Sequence, residues 1–171
     1  MRSLMLLSCM VLLASAAQAT PTGETFLMNV PGITGEVTRP SYVGWISVNS
    51  FSGGFRNSSV VGSGGTVPSC QPLVVVKPLD QASPLLTAAV ATFHVYPYIE
   101  LVGLGGTGNP FVRLLLLDVA ISSVDFGGSQ TASAQVDNLK LAPRRIEITF
   151  QPQKPDGTLG NAATATIDCL F

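Results

Sequence analysis

Turn-forming residues interrupt this chain so often that long helices have little room in it. The 171 residues include 17 glycines and 12 prolines, which are the strongest local signals of turns and loops. The segments between them are short and rich in apolar residues. In residues 145–150, for example, every second position is isoleucine or phenylalanine, which is the period of a strand with one face on a core. The pattern predicts a mainly β protein.

The predicted elements are a series of strands and one helix. Ser83 and Pro84 precede the helix-compatible run LLTAAVAT. Because serine caps helices and proline is favoured at the first helical position, a short helix is predicted to begin here. The Gly/Ser-rich residues 52–69 are predicted to form a long loop. We therefore expect an antiparallel β-barrel or sandwich with one short α-helix. The predicted strands are residues 26–30, 42–51, 73–76, 98–102, 111–117, 118–124, 145–150 and 163–171.

The first residues have the layout of a secretory signal peptide. A short positively charged start precedes residues 3–17, which are almost wholly apolar or small, and an Ala-Gln-Ala sequence then matches the small-x-small cleavage pattern. The apolar run of about 15 residues is shorter than the ~20 that span a bilayer. Cleavage between Ala19 and Thr20 is therefore predicted. It removes a signal peptide of residues 1–19 and leaves residues 20–171 as a single exported domain, periplasmic or secreted, without stable membrane insertion.

Removal of this segment changes the number of cysteines from odd to even. The full chain has three cysteines, of which Cys9 is lost while Cys70 and Cys169 remain. An even pair in an exported chain is what a structural disulfide requires, and a barrel could bring the predicted strands at these two positions together. Two buried thiols are the alternative. We expect a disulfide between Cys70 and Cys169.

Charge and motifs argue against catalysis and nucleic-acid binding. Nine basic and ten acidic side chains give a net charge of −1, so no positive excess exists to neutralise phosphates, and nucleic acid is not expected as a partner. His94 is the single histidine, and neither it nor Asp118 and Asp125 stands in a recognisable catalytic pattern. Residues 103–108 fit G-x-G-x-x-G, but a strand follows where a dinucleotide site needs a helix. No catalytic residue, cofactor or metal site is predicted.

Five segments together carry a more specific pattern. They are FLMNVPGITGEV (26–37), ISVNSFSGG (46–54), LVVVKPLDQASPLLTAAVAT (73–92), FVRLLLLDVAISSV (111–124) and IEITFQPQKPDGTLGNA (146–162). In this order and at this spacing, the segments resemble the haemolysin-coregulated protein (Hcp) family, the tube protein of type VI secretion systems. The most telling stretch is the D-x-A-S-P-x-L sequence of residues 80–86, between a strand and a helix.

The resemblance implies a β-barrel with one helix that assembles into six-membered rings, which stack into a tube. In that family the ring carries no catalysis, a spike protein caps the tube, and small effectors occupy its lumen. A charged fraction of only 11% also leaves the outer strands little protection against self-association. Because the family's tube proteins ordinarily lack a signal peptide, an exported Hcp-like binding module outside any secretion tube is the alternative function.

Two loops are predicted to make ring or stacking contacts, because both project from the ends of predicted strands. They are residues 31–40 and residues 52–69. Their glycine and serine content equally fits plain flexibility, so both roles stay open. The candidate contact residues are Gly32, Gly35 and Glu36 in the first loop and Gly53, Gly54 and Phe55 in the second.

Overall fold

The structure is a computed structural model that describes residues 24–58, 67–128, 135–154 and 157–169. The predicted cleavage site between Ala19 and Thr20 lies outside the described residues. In chain order the elements are β1 (Thr25–Asn29), β2 (Ile46–Val48), β3 (Ser50–Ser52), β4 (Phe55–Ser58), β5 (Val67–Cys70), β6 (Leu73–Pro78), α1 (Ser83–Ala91), β7 (Val95–Leu104), β8 (Pro110–Gly127), β9 (Val136–Phe150) and β10 (Ala163–Asp168).

The main sheet is antiparallel and runs in the order β2–β1–β7–β8–β9–β6–β3. Its two ends, β2 and β3, are consecutive pieces of one extended segment that is divided at Asn49. The first piece pairs with β1 and the second with β6, and the Asn49 amide donates to the Val76 carbonyl at 2.8 Å. The sheet is thereby nearly closed into a barrel, as predicted, and β10 extends it beside the second half of β9.

The hydrophobic core fills the inside of this barrel. Along β6 buried and half-buried positions alternate, because successive side chains of a strand point to opposite faces. The helix α1 packs against β8 and contributes Leu86 and Ala89, both buried, to the same core. Other core residues, drawn from five strands, include Met28, Ile46, Ile99, Leu101, Leu116, Leu139 and Leu141.

A second, smaller apolar cluster lies on the outer face of β1 and β7. The connection of residues 31–45 folds over this face, and its Tyr42 and Trp45 pack against Leu27 and Val102. The two rings meet edge to face, with centroids 5.0 Å apart. This connection therefore lies against the barrel, whereas the sequence predicted that residues 31–40 project from it.

Every predicted strand overlaps an observed one, and several are longer than expected. β8 has 18 residues and β9 has 15. In the added part of β9 the alternation continues, since Leu139 and Leu141 are buried and Lys140 between them is exposed. The two strands pair along their whole length, with a register shift between Ile121 and Ser123. Residues 105–109 join β7 to β8 as the predicted hairpin. The last predicted strand is β10, which ends at Asp168, and residues 170–171 lie outside the described part of the chain.

Three local predictions are wrong. Residues 52–69 do not form one long loop, because β4 and β5 pair with each other as a separate two-stranded sheet. Residues 42–45 belong to the packed connection and not to a strand. Residues 111–124 belong to one continuous strand, β8, and not to two consecutive strands.

Candidate assembly surfaces

The β4–β5 hairpin stands apart from the barrel. Among the described residues its two strands contact mainly each other, and the Gln71 amide joins the base by donating to the Gly54 carbonyl at 2.9 Å. A Cβ added at either glycine of this base would approach the end of a neighbouring side chain closely. A Cβ at Gly53 would lie 2.6 Å from Leu73 Cδ1, and a Cβ at Gly54 would lie 3.0 Å from Gln71 Oε1. The two glycines thus allow the hairpin to leave the barrel close to the start of β6.

An apolar groove with a volume of about 370 Å³ opens beside the base of the hairpin. None of the described residues that line it is charged. Phe55, one of the predicted contact residues, forms part of its wall and is exposed. The apolar lining consists of Phe51, Phe55, Leu73, Leu114, Ile146 and Ile148. Concave apolar surfaces of this kind are where proteins bind apolar groups of other molecules.

A disulfide ties the hairpin to the far end of the chain, as predicted. Cys70 ends β5 and is bonded to Cys169, with the two Cα atoms 5.2 Å apart and both residues buried. The Cys169 amide also donates to the Arg144 carbonyl at 2.7 Å, which holds the residue after β10 against β9. Because disulfides persist in oxidising compartments, this bond is suited to an exported protein.

The first predicted contact loop is bound to the start of the helix. Gly32 has a φ of 80°, which favours glycine. At Gly35 a Cβ would collide with the Trp45 carbonyl oxygen. Gln81 donates from its amide to Glu36 Oε1 at 3.2 Å and from Nε2 to the Gly35 carbonyl at 2.7 Å. The structure therefore gives Gly35 and Glu36 contacts within the chain.

Lys77 is a fully buried charge that fastens the helix to the barrel. It lies directly opposite Asp137 in the β6–β9 pairing, and both side chains have 0% exposure. Lys77 Nζ lies 3.0 Å from Asp137 Oδ2 and 2.7 Å from Asp80 Oδ1. The hydroxyl of Ser83 accepts from Lys77 at 2.9 Å and donates to Asp137. Two carboxylates and a hydroxyl thus compensate the burial of the ammonium group, which would be costly without partners.

The role of Ser83 differs from the predicted helix cap. The N-cap residue is Ala82, which makes no side-chain capping bond, and α1 begins at Ser83. The Ser83 hydroxyl accepts from the Asp80 amide at 3.1 Å and is otherwise occupied by the buried ion pair. The Ser83 hydroxyl, which the local sequence predicted to cap the helix, thus binds Asp137 of β9 instead.

The C-terminal end of α1 presents an exposed aromatic side chain in a strained backbone position. The His94 amide donates to Ala89 O at 3.0 Å and the Phe93 amide to Val90 O at 3.2 Å, a pattern in which glycine usually follows the helix. Here that residue is Phe93, with a φ of 52°. The left-handed helical region costs an L-residue about 1–2 kcal/mol. Since Phe93 is 90% exposed, packing within the chain does not offset this cost.

β10 forms an open edge of the sheet. It pairs with β9 on one side, and no other strand of the described residues pairs with it. Its alanines and threonines at 163–166 are exposed, without the lysine or proline that commonly protects an edge. At its end Arg145 Nε donates to Asp168 Oδ1 at 2.6 Å, and this hydrogen bond raises the pKa of Arg145. The edge offers unpaired backbone groups to another strand.

The polar residues considered for catalysis are not brought together. His94 is exposed and stacks edge-on with Tyr96, with ring centroids 4.6 Å apart, while burial raises the pKa of Tyr96. Asp118 and Asp125 are seven positions apart on β8, about 23 Å at strand spacing. The described part of the chain contains no group of three or more potential metal ligands. Within the same residues, no helix has the length and apolar character needed to cross a bilayer.

A protein-family model described as "Type VI secretion system effector, Hcp" matches residues 27–150. The chain belongs to the Hcp family. The matched residues begin within β1 and end with the last residue of β9, so they contain the helix and all of β2–β9 but not β10. The family resemblance of the five sequence segments is thereby confirmed.

Solved Hcp structures share this fold. Hcp1 from Salmonella typhimurium is 22% identical, with a TM-score of 0.74 over 85% of this chain and 94% of that chain. A structure described as a type six secretion system protein is also 22% identical, with a TM-score of 0.77 over 85% of this chain and 96% of that chain. At this level of identity the similarity establishes the Hcp fold, a mainly antiparallel barrel with a single helix.

A curated Hcp relative is similar over a shorter stretch. Protein hcp1 of Pseudomonas aeruginosa is 31% identical over 90 residues, which are 51% of this chain. The match spans 56% of the length of that relative.

The predicted contact residues do not form one continuous surface. Residues 53–55 and Cys70 meet at the base of the β4–β5 hairpin, whereas residues 32–36 lie against the start of α1. Sequence reasoning missed two residues that the structure makes prominent, the buried Lys77 and the exposed Phe93. The burial of Lys77 could have been predicted, because Lys77 follows Leu73 and Val75 at every second position of β6 and so shares their inward-facing side.

Proposed function

We propose that this chain is a non-catalytic structural subunit of a type VI secretion tube, forming six-membered rings that stack. The observation that carries the proposal is the match of residues 27–150 to the Hcp family. Similarity to solved Hcp structures over 85% of the chain supports it. As a tube subunit, the chain has itself as its main partner, with a spike protein at the tip of the tube and small effectors in the lumen as further partners.

The surface chemistry supports self-association. β10 leaves an unprotected strand edge, and the groove beside the hairpin is apolar and open. Edges and apolar concavities of this kind are the features that natural monomers usually cover. A contact between two different surfaces closes into a ring when its rotation divides a full turn.

Light scattering and electron microscopy of the oxidised chain of residues 20–171 test the ring. The proposal expects a mass six times that of the subunit and annular particles. A strictly monomeric protein at high concentration would contradict it.

The proposal includes export with removal of residues 1–19. It is supported by the charged start, apolar core and cleavage pattern of that segment and by the disulfide, which requires an oxidising compartment. N-terminal sequencing of the protein from the periplasm or medium should begin at Thr20. Recovery of the intact chain from the cytoplasm alone would refute this part.

An exported Hcp-like binding module is the second candidate function. The observations that favour it are the signal-peptide layout and the disulfide, together with an open groove that suits a ligand. This candidate expects an exported monomer that functions without sheath and spike components. A ring found in the light-scattering experiment contradicts it, and a secreted, cleaved monomer supports it over the tube subunit.

A further inference from the structure

Phe93 is the most exposed of the large hydrophobic residues described in this chain, at 90%. Its backbone occupies the left-handed region at φ 52°, at a position after the helix where glycine is usual. A strained and unpacked aromatic residue lowers the stability of the isolated subunit. Strain of this kind is typical of functional positions, and aromatic residues are typical anchors of protein interfaces. Phe93 therefore has the character of an anchor for another molecule.

The segment of the chain that carries Phe93 has no acidic or strongly basic side chain. Residues 81–99 contain no lysine, arginine, aspartate or glutamate. Val95, the next residue but one, is also exposed, at 55%. Depletion of charge around exposed aromatic residues is the pattern of an interface centre. The partner surface should accordingly be apolar and uncharged.

The same chain carries a surface that meets this requirement. The groove beside the β4–β5 hairpin has a volume of about 370 Å³, and the described residues that line it are uncharged. Val95 pairs with Ala120 on β8, while Leu114 on the same strand lines the groove. The two positions on β8 are about 20 Å apart at strand spacing. Phe93 and the groove are therefore distant from each other on one subunit, as a head-to-tail contact requires.

We propose that Phe93 of one copy inserts into the apolar groove of a second copy. This inference rests on the proposed self-assembly and names the contact that carries it. A buried phenylalanine accounts for roughly 150–250 Å², compared with about 800 Å² per partner in a stable interface. Phe93 is thus the anchor of a larger contact, and repetition of the contact joins each subunit to the next in one direction.

The first experiment measures self-association and stability of Phe93→Gly in the oxidised chain of residues 20–171. Glycine relieves the backbone strain and removes the exposed phenyl ring, so the midpoint of thermal unfolding of the subunit should stay equal or rise. The association constant should fall at least tenfold, as expected for losing one buried phenylalanine. Phe126→Ser is the matched control, because Phe126 is also exposed but lies six positions beyond Ala120, the partner of Val95, near the C-terminal end of β8. Its association should remain within threefold of the original chain.

The second experiment locates the partner surface. Ser52 lines the groove and is exposed, so Ser52→Trp should block the groove and weaken association as strongly as Phe93→Gly. A mixture of Phe93→Cys and Ser52→Cys chains, treated with a short thiol cross-linker, should give linked pairs. Each variant treated alone should give none.

The outcomes separate this inference from the proposed function. If the original chain forms rings and Phe93→Gly forms them with equal affinity, the insertion is refuted and the tube subunit stands. If Phe93→Gly weakens association but Ser52→Trp and the cross-linking have no effect, Phe93 contacts a different surface and the inference is also refuted. A strictly monomeric original chain overturns both. If Phe93→Gly leaves self-association unchanged but weakens binding to a different protein or to a lipid vesicle, insertion into a second copy is likewise refuted.

Discussion

Removing the positive charge of Lys77 should cost a large part of the stability of this protein. In Lys77→Met the two carboxylates of Asp80 and Asp137 lose the ammonium group that lies 2.7 and 3.0 Å from them. Methionine has a similar length and is apolar, so the change removes the charge with little change in packing. The carboxylates remain in a site where Asp137 has 0% exposure.

The expected loss is about 3–5 kcal/mol, the usual cost of leaving one partner of a buried ion pair uncompensated. Because a domain is stable by roughly 5–15 kcal/mol, this loss is about 30–50% of the free energy of unfolding of a mid-range protein. At about 2–4 °C per kcal/mol for a domain of this size, the midpoint of thermal unfolding should fall by roughly 6–20 °C. The helix α1 should loosen first, since Asp80 and Ser83 join it to this site.

Urea unfolding of the oxidised protein provides the measurement, followed by circular dichroism and by fluorescence of Trp45, the one tryptophan. Lys140→Met is the matched control, because Lys140 is exposed on β9, and its effect should stay within about 0.5 kcal/mol. Adding Asp137→Leu to Lys77→Met should restore part of the loss, since apolar groups tolerate this site without charges. A loss below about 1 kcal/mol for Lys77→Met would refute the reasoning that a compensated buried charge stabilises this end of the barrel.

Three further outcomes follow from the structure. Replacing Cys70 and Cys169 by serine should lower the free energy of unfolding by up to ~4.7 kcal/mol, the chain-entropy value for a loop of about 100 residues; equal urea midpoints for the oxidised protein and the variant would contradict this. Burial raises the pKa of Tyr96, so the folded state favours the neutral phenol. The contribution of Tyr96 to the free energy of unfolding is therefore intact below about pH 10 and is lost as the pH rises further. Urea midpoints measured from pH 8 to 11 should therefore fall less steeply for Tyr96→Phe, and parallel curves would count against the idea. Gly35→Ala should destabilise by about 1–3 kcal/mol through overpacking against a backbone carbonyl. Gly127→Ala, with open space around the new Cβ, should have little effect in the same urea unfolding assay.

The strands and the helix could be predicted because their signals are local. Alternation of apolar residues identified the part of β9 from residue 145 to 150, and proline after serine identified the start of α1 within one residue. The β4–β5 hairpin was missed because it lies in the Gly/Ser-rich segment of residues 52–69, which has no alternation of apolar residues. Its pairing depends on strand-to-strand hydrogen bonds that a sequence pattern does not show.

The candidate surfaces were harder to predict because they depend on contacts between distant residues. The Ser83 hydroxyl was expected to cap α1, but Asp137, 54 positions away, binds it instead. The disulfide was predicted because the cysteine count restricted the choice to one pair. Phe93 was not predicted as a surface residue, since its exposure and φ value depend on how α1 meets β7.

The disulfide also determines how the chain responds to mechanical force. Cys70 and Cys169 are 99 positions apart in sequence, so a pull applied at residues 24 and 169 passes through the disulfide and bypasses the strands between the two cysteines. At about 3.5 Å per residue, some 350 Å of chain cannot be extended. Of the described residues, only the roughly 45 before Cys70 can unravel, which lengthens this part of the molecule by at most ~160 Å. Most of the barrel is therefore shielded from tension while the bond is oxidised, and its reduction would more than triple the distance over which the protein can be drawn out.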